Sequence, residues 1–205
     1  MEGYDYDHND GKIHTRYTDL VRCTEGQVLT VAEEMLCGRQ RFSGSVTSFG
    51  RVRHEMFAEE SLETGRTPEC FRELDVELSL RCIEREFEME VFPGVVVHSR
   101  TDGYAPDVEM VVDYKTCTRA EDINKYKNSR QHLMYALQLM NKGFSVKGAL
   151  YLGEIWDAKR EKPLGYCQMK TEITIQDLLK FRNEWLKDRC ERLVVAINVL
   201  KGGKK

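Results

Sequence analysis

Apolar and polar residues alternate with a period of two through the middle of the chain and recur at helical spacing on either side of it. Leu74 to Leu80, Arg85 to Phe92, Val95 to Tyr104 and Glu109 to Thr116 therefore read as successive strands of a β-meander. Ala105-Pro106-Asp107 supplies the turn before the last of them. Upstream, Val28, Val31, Ala32, Met35 and Leu36 form the apolar stripe of a helix over Val28 to Cys37. Ser48 is placed to cap a further helix to about Glu63, with Phe49, Val52, Met56 and Phe57 turned to the core. Downstream, Gln131 to Asn141 is helical and stops at Gly143. Val146 to Ile155 is a strand with Gly148 and Gly153 as weak points, and Lys159 to Gly165 is a turn. Tyr166 to Ile173 alternates as an outer strand. Thr174 with Asp177 opens a long helix through Leu200, whose Leu178, Phe181, Trp185, Leu193 and Ile197 would cover the sheet.

A chain of 205 residues, 41% hydrophobic, is long enough for a sheet covered by helices and short for two full domains. We expect one domain over residues 13–200, between a flexible acidic N-terminus (1–12) and a flexible tail (201–205). No apolar run approaches the roughly eighteen residues of a membrane span. Asp5, Asp7 and Asp10 give the N-terminus no signal-peptide character, so the expected location is cytoplasmic. The seven Cys form no C-x-x-C pair, which argues against a disulfide framework or zinc ribbon and fits a reducing compartment.

The chemistry concentrates in Asp113-Tyr114-Lys115. On a strand, the Asp and Lys side chains lie on one face, roughly 6.6 Å apart along it, where they can share a reaction centre. Val111 and Val112 run straight into the triplet, as in a buried strand that delivers polar groups to a cleft. Asp102 ends the preceding β-rich run and supplies a second carboxylate for a divalent cation. Gly50 stands one turn before His54, so the helix can approach closely enough for the imidazole to reach the same point. Gln131 and Tyr135 share a helical face at i, i+4. Glu86 and Glu88 are further acids, but alternation with Phe87 places them in solvent.

In this order the signals resemble the RecB-like branch of the PD-(D/E)XK nuclease superfamily, which includes the nuclease domains of bacterial recombination enzymes and of CRISPR adaptation. The resemblance covers roughly His54 to Leu139. It rests on a helix-borne His, an Asp, an Asp/Glu-X-Lys and a Gln-x-x-x-Tyr, matched here by His54, Asp102, Asp113 with Lys115, and Gln131 with Tyr135. It implies an α/β (α+β) fold, the restriction-endonuclease-like core of a mixed β-sheet flanked by helices, with Mg²⁺ or Mn²⁺ as cofactor and DNA as substrate.

The expected activity is that of a metal-dependent DNA nuclease, an exonuclease or single-strand endonuclease, serving DNA replication, recombination or repair. Asp102, Asp113, the carbonyl of Tyr114 and His54 would hold the metal, Lys115 would orient the attacking water, and Gln131 and Tyr135 would position the scissile strand. The alternative is a catalytically silent nuclease-fold module that binds DNA or a protein. Some relatives hold an iron-sulfur cluster through one upstream and three C-terminal Cys. Here only Cys167 and Cys190 follow the Gln-Tyr motif, so no cluster is expected. The chain also lacks a Gly-x-x-x-x-Gly-Lys-Ser/Thr phosphate loop, so any motor would come from a helicase or a recombination or replication partner.

A net charge of −3 suits a nucleic-acid enzyme only if the charge is unevenly spread. Acids crowd Glu55 to Glu90, whereas Arg39 and Arg41, Arg51 and Arg53, and Lys159, Arg160 and Lys162 are locally basic. Arg119, Lys125, Lys127 and Arg130 bridge the Asp-X-Lys strand and the Gln-Tyr helix, where a phosphate backbone would approach. Replacing Lys127 and Arg130 by Ala is expected to weaken DNA binding alike for all sequences and to flatten its salt slope by about one per lost phosphate contact. An unchanged slope in a salt titration would make the cluster a solvated face.

Overall fold

The computed structural model describes residues 10–37 and 45–202. Arg39 and Arg41, most of the acidic N-terminus and the last residues of the tail lie outside the described residues. In chain order the elements are β1 (Ile13–Arg16), α1 (Tyr17–Arg22), α2 (Val28–Leu36), α3 (Ser45–Thr64), β2 (Arg85–Phe92), β3 (Val95–Thr101) and β4 (Gly103–Ala105). Then follow β5 (Met110–Cys117), α4 (Gln131–Asn141), β6 (Gly148–Trp156), β7 (Pro163–Glu172), α5 (Ile175–Lys180) and α6 (Lys187–Gly202).

These elements gather into two compact units. One holds the described residues of Met1–Phe42 with Phe87–Ser99 and Gln176–Lys205. Its sheet has the order β1-β3-β2, and β1 runs parallel to β3, from Ile13 opposite Val95 to Arg16 opposite His98. The long C-terminal helix forms as expected, but with a π-helical turn, Phe181–Leu186, between α5 and α6. Leu178, Phe181, Leu193 and Ile197 are buried, and α6 packs on α1 and α2.

The second unit, Ser43–Glu86 with Arg100–Ile175, carries every residue of the candidate site. Its sheet has the order β4-β5-β6-β7, with β5 and β6 parallel and the outer pairs antiparallel. Parallel neighbours need a crossover. Here residues 118–147 make it, through a 3₁₀ stretch (Ala120–Asn128) and α4. The sheets are therefore mixed and flanked by helices, and the simple meander is not what forms.

Two expected strands change character. Leu74 to Leu80 is no strand: a 3₁₀ turn over Glu69–Leu74 ends at Asp75 in left-handed backbone (φ 56), and Ser79 makes a single bridge to Arg66. Phe71, Val76 and Leu80 all point into the core with Phe57, Val112, Tyr114, Leu150 and Leu152, so packing rather than a ladder sets their spacing. Val95 to Tyr104 breaks at Asp102, because Tyr104 exchanges both backbone hydrogen bonds with Arg81 (2.7 and 2.8 Å) while β4 pairs with β5.

Helix α3 begins before Ser48, which therefore sits inside the helix and not at its cap. Its buried face is Phe57, Ala58 and Ser61, whereas Val52 and Met56 are about half exposed (51% and 49%). Val52 and Met56 stand two positions beyond Gly50 and His54, about 200° around the helix and so on its far side. Gly50 does permit a close approach: a Cβ there would stand 3.3 Å from Thr116 Oγ1 on β5.

Gly148 and Gly153 in β6 are close contacts. A Cβ at Gly148 would lie 2.6 Å from the Thr171 carbonyl oxygen, and one at Gly153 would meet the Cys167 and Cys117 thiols at 2.6 and 3.3 Å. Since the Thr171 oxygen is backbone, Gly148→Ala is expected to cost about 1–3 kcal/mol by overpacking. That corresponds to a fall in Tm of about 5 °C for a domain of this size, read by calorimetry; an unchanged Tm would mean that β7 can move aside.

Candidate active site

Strand β5 is buried along both faces, with Val111, Val112, Asp113 and Tyr114 all inaccessible. Alternation sorts its side chains. The Tyr114 ring packs on Phe57 and Phe71 at 5.4 and 5.8 Å, and its hydroxyl shares a hydrogen bond with Ser61 at 3.0 Å. Asp113 and Lys115 take the other face, where the ammonium donates to Asp113 Oδ1 at 2.7 Å. The other Asp113 oxygen, Oδ2, is buried with no hydrogen-bond partner.

Asp102, 4% exposed, sits in the gap between β3 and β4. Its Oδ2 accepts the Tyr114 N–H at 2.6 Å and meets His54 Nε2 at 2.8 Å. A residue's N–H and C=O leave a strand along the same edge. The Tyr114 carbonyl therefore faces the edge that Asp102 occupies. The sequence-predicted acids and imidazole thus come together from α3, the β3–β4 gap and β5.

A residue absent from the sequence reading joins them. Glu84 Oε1 lies 3.6 Å from His54 Nδ1 and has no hydrogen-bond partner of its own, while Oε2 accepts from Arg100 Nε at 2.9 Å. Glu84 comes from an irregular turn in which it and Cys82 both have positive φ (49 and 53), pinned where Thr101 Oγ1 donates to the Cys82 carbonyl. No Gly or Asn announces that turn and no periodicity marks the residue, so the sequence carries no usable signal for it. Glu86 and Glu88 are exposed, as expected. His54, Glu84 and Asp102 each offer a ligand atom within 4.8 Å of the others.

On α4, Gln131 Nε2 donates to the Tyr135 hydroxyl at 2.5 Å, and Tyr135 is buried. Burial, and then the charges of Asp113 and Asp102, push the Tyr135 hydroxyl well above its usual range, so it is a neutral donor beside the acids. Lys115 Nζ stands 5.1 Å over the Tyr126 ring and 6.0 Å from that of Tyr151. Lys125, Lys127 and Arg130 are exposed, and Arg130 holds left-handed backbone (φ 59) just before α4. Arg119 is exposed and paired with Asp122 at 3.1 Å.

No family model and no curated protein matches the chain in sequence. Solved structures do match it. A phage-related exonuclease of Haemophilus somnus covers 95% of the chain, with 97% of its own length, at TM-score 0.56 and 11% identity. A Eubacterium rectale protein that carries an exonuclease designation reaches TM-score 0.61 at 14% identity over 95% of this chain and 84% of its own. LHK-Exo in complex with dAMP, whose enzyme is the alkaline exonuclease of Laribacter hongkongensis, gives TM-score 0.51 at 16% identity over 94% and 93%. The fold is that of these exonuclease structures.

In this nuclease fold the donor set suits a hard divalent cation. Two buried carboxylate oxygens, Glu84 Oε1 and Asp113 Oδ2, have no donor, and an imidazole lies between acids. Such orphaned acceptors are rare in folded proteins, and carboxylate oxygens are the ligands a hard cation takes. Burial raises Asp113 to about 7; Lys115 opposes the rise and the neighbouring Asp102 charge adds to it. Burial followed by the Asp102 charge also raises Glu84. Burial would depress His54, yet its hydrogen bond to Asp102 and the surrounding acids raise it. Burial would raise Asp102 too, and His54 overcomes it, holding that carboxyl low.

The three raised groups have one sign. Each binds its proton more tightly when folded, so the stability it lends is complete below its unfolded pKa and is lost as pH rises through the folded one. The metal-free nuclease fold is therefore expected to melt lower at about pH 8 than at about pH 5. Asp113→Asn removes the Asp113 share, and calorimetry in a chelator should find a smaller difference between the two pH values. An unaltered difference would show that Asp113 ionises in the folded protein as freely as in the unfolded one.

Proposed function

We propose that the chain is a metal-dependent deoxyribonuclease that hydrolyses phosphodiester bonds, RecB-like in its arrangement, and that acts as an exonuclease or single-strand endonuclease in replication, recombination or repair. The observation that carries this reading is the pair of unpartnered buried carboxylate oxygens beside the Lys115 ammonium and the His54 imidazole. The exonuclease neighbours, one holding dAMP, support DNA as the substrate.

Asp102, Asp113, Glu84, His54 and the Tyr114 carbonyl would hold Mg²⁺ or Mn²⁺. When bound, such an ion supplies Lewis acidity toward a phosphate oxygen and an acidified water. Lys115, charged and fixed by Asp113, orients that water and meets negative charge that develops on the phosphate. Tyr135 and Gln131 donate hydrogen bonds that hold the scissile strand against the acids. Arg119, Lys125, Lys127 and Arg130 line the approach of the backbone. A motor, where the process needs one, comes from a helicase or recombination partner. Among the described residues no helix is long and apolar enough to cross a membrane.

Asp113→Ala and Lys115→Ala should each lower cleavage of labelled DNA by at least about a hundredfold. Calorimetry separates their roles: Asp113→Ala should abolish Mn²⁺ binding and Lys115→Ala should keep it. His54→Ala should weaken Mn²⁺ more than Mg²⁺, because the oxygens that remain are the ligands Mg²⁺ prefers. Wild-type cleavage in either β5 variant would end the assignment and leave a silent nuclease-fold module.

A further inference from the structure

Beyond Lys115, the C-terminal end of β5 opens onto a cavity of about 160 Å³ that contains none of the proposed metal ligands. Thr116 and Thr118 line it from β5 and the residue after it, Phe49 from α3 and Trp156 from the end of β6. Phe49 and Trp156 meet edge to face, their ring centroids 5.0 Å apart. The wall is stiff. The Trp156 indole N–H donates to Glu154 at 2.6 Å, and Glu154, itself fully buried, holds the Arg53 guanidinium through two hydrogen bonds of 2.7 and 2.8 Å. Arg53 in turn lies 5.2 Å from the Trp156 ring.

Charge completes the cavity. Lys125 and Arg160 line it, and the Arg160 guanidinium stands 5.3 Å over the Phe49 ring. The acid in the lining, Asp122, is already engaged: it accepts from Thr118 Oγ1 at 2.9 Å and from the Arg119 backbone and guanidinium at 3.1 Å each. An aromatic wall edged by cations is the standard platform for an unpaired base and its phosphate. A cavity of roughly 150 Å³ accepts a benzene-sized ring, so a pyrimidine fits. The cavity spans the strand end: Cys117 lines it from the Lys115 face, roughly 6.6 Å along the strand from Lys115, while Thr116 and Thr118 line it from the opposite face with Phe49 and Trp156. A strand whose scissile phosphate meets Lys115 reaches the aromatic wall by passing around the end of β5, one nucleotide further on.

We propose that this cavity is a nucleotide subsite: an unpaired base of the substrate strand packs on Phe49 and Trp156, and its phosphate is held by Lys125 and Arg160. The proposal rests on the nuclease reading. It makes the enzyme prefer a frayed or single-stranded segment next to the cleaved bond.

The test is steady-state cleavage of a single-stranded oligonucleotide by the full chain, with one abasic nucleotide walked along the strand. In the wild type, one position next to the scissile bond should raise KM about tenfold, as the loss of one stacked base does. Phe49→Ala should raise KM by a similar factor, far more than it lowers kcat, and should no longer sense the abasic position. The pair Lys125→Ala with Arg160→Ala keeps the aromatic wall; it should retain that sensitivity and reduce the salt slope of binding by about one, for the one phosphate lost. If both variants keep the wild-type KM, or if wild type and Phe49→Ala respond alike at every position, the subsite is overturned while wild-type cleavage leaves the nuclease reading standing. A wild type that cleaves no DNA with Mg²⁺ or Mn²⁺ overturns both.

Discussion

One carboxylate oxygen ties the site together. Asp102 Oδ2 takes the Tyr114 N–H and His54 Nε2 at once. The β4–β5 ladder ends at Gly103 opposite Val112, so the next amide on that edge, Tyr114, has no strand to pair with. A buried amide left unpaired costs about 1–3 kcal/mol. Asp102 meets that need and also fixes the imidazole of α3 against β5. The same group is thus a clasp for the sheet edge and one of the proposed metal ligands at its tip, and the site cannot lose it without loosening the strand that carries Asp113 and Lys115.

What the clasp assembles is unfavourable by itself. Asp113 and Glu84 bury oxygens without donors, and the Asp102 charge repels each of them. Folded proteins avoid such clusters unless a function requires them. Here the surroundings are rigid enough to hold them: Phe57, Phe71 and Tyr114 interlock beneath β5, and Gly50 lets α3 lie almost against Thr116. The two positive-φ residues of the Glu84 turn add local backbone strain at the same place.

Much of this was legible in the sequence because it depends on order and spacing. Asp113 and Lys115 share a face by strand alternation, Gln131 and Tyr135 by helical spacing, and the bounds of α4 follow from its composition and the glycine beyond it. Gly50 before His54 signalled a close helix. Pairing was not legible. That β1 joins β3 and β5 joins β6 in parallel is a long-range choice no local pattern encodes. Leu74 to Leu80 alternates like a strand yet follows the shape of the core. On α3 Phe57 is buried as expected, but Val52 and Met56, apolar and therefore assigned to the core, are exposed. Glu84 went unseen because its turn uses residues that do not ordinarily adopt left-handed backbone.

The parallel pairing of β5 and β6 also bears on how the molecule is made. These strands cannot zip from a hairpin; the crossover that includes α4 must close first, and such non-local pairings form slowly. The crossover is also the segment that brings Gln131 and Tyr135 to the acids. Until it closes, β5 presents a mostly apolar strand with an unpaired edge, the kind of surface that templates aggregation in a folding chain. The charged triplet at its end then acts as a gatekeeper apart from its proposed catalytic part: Asp113 and Lys115, still hydrated in the open chain, discourage edge-to-edge association before β6 arrives.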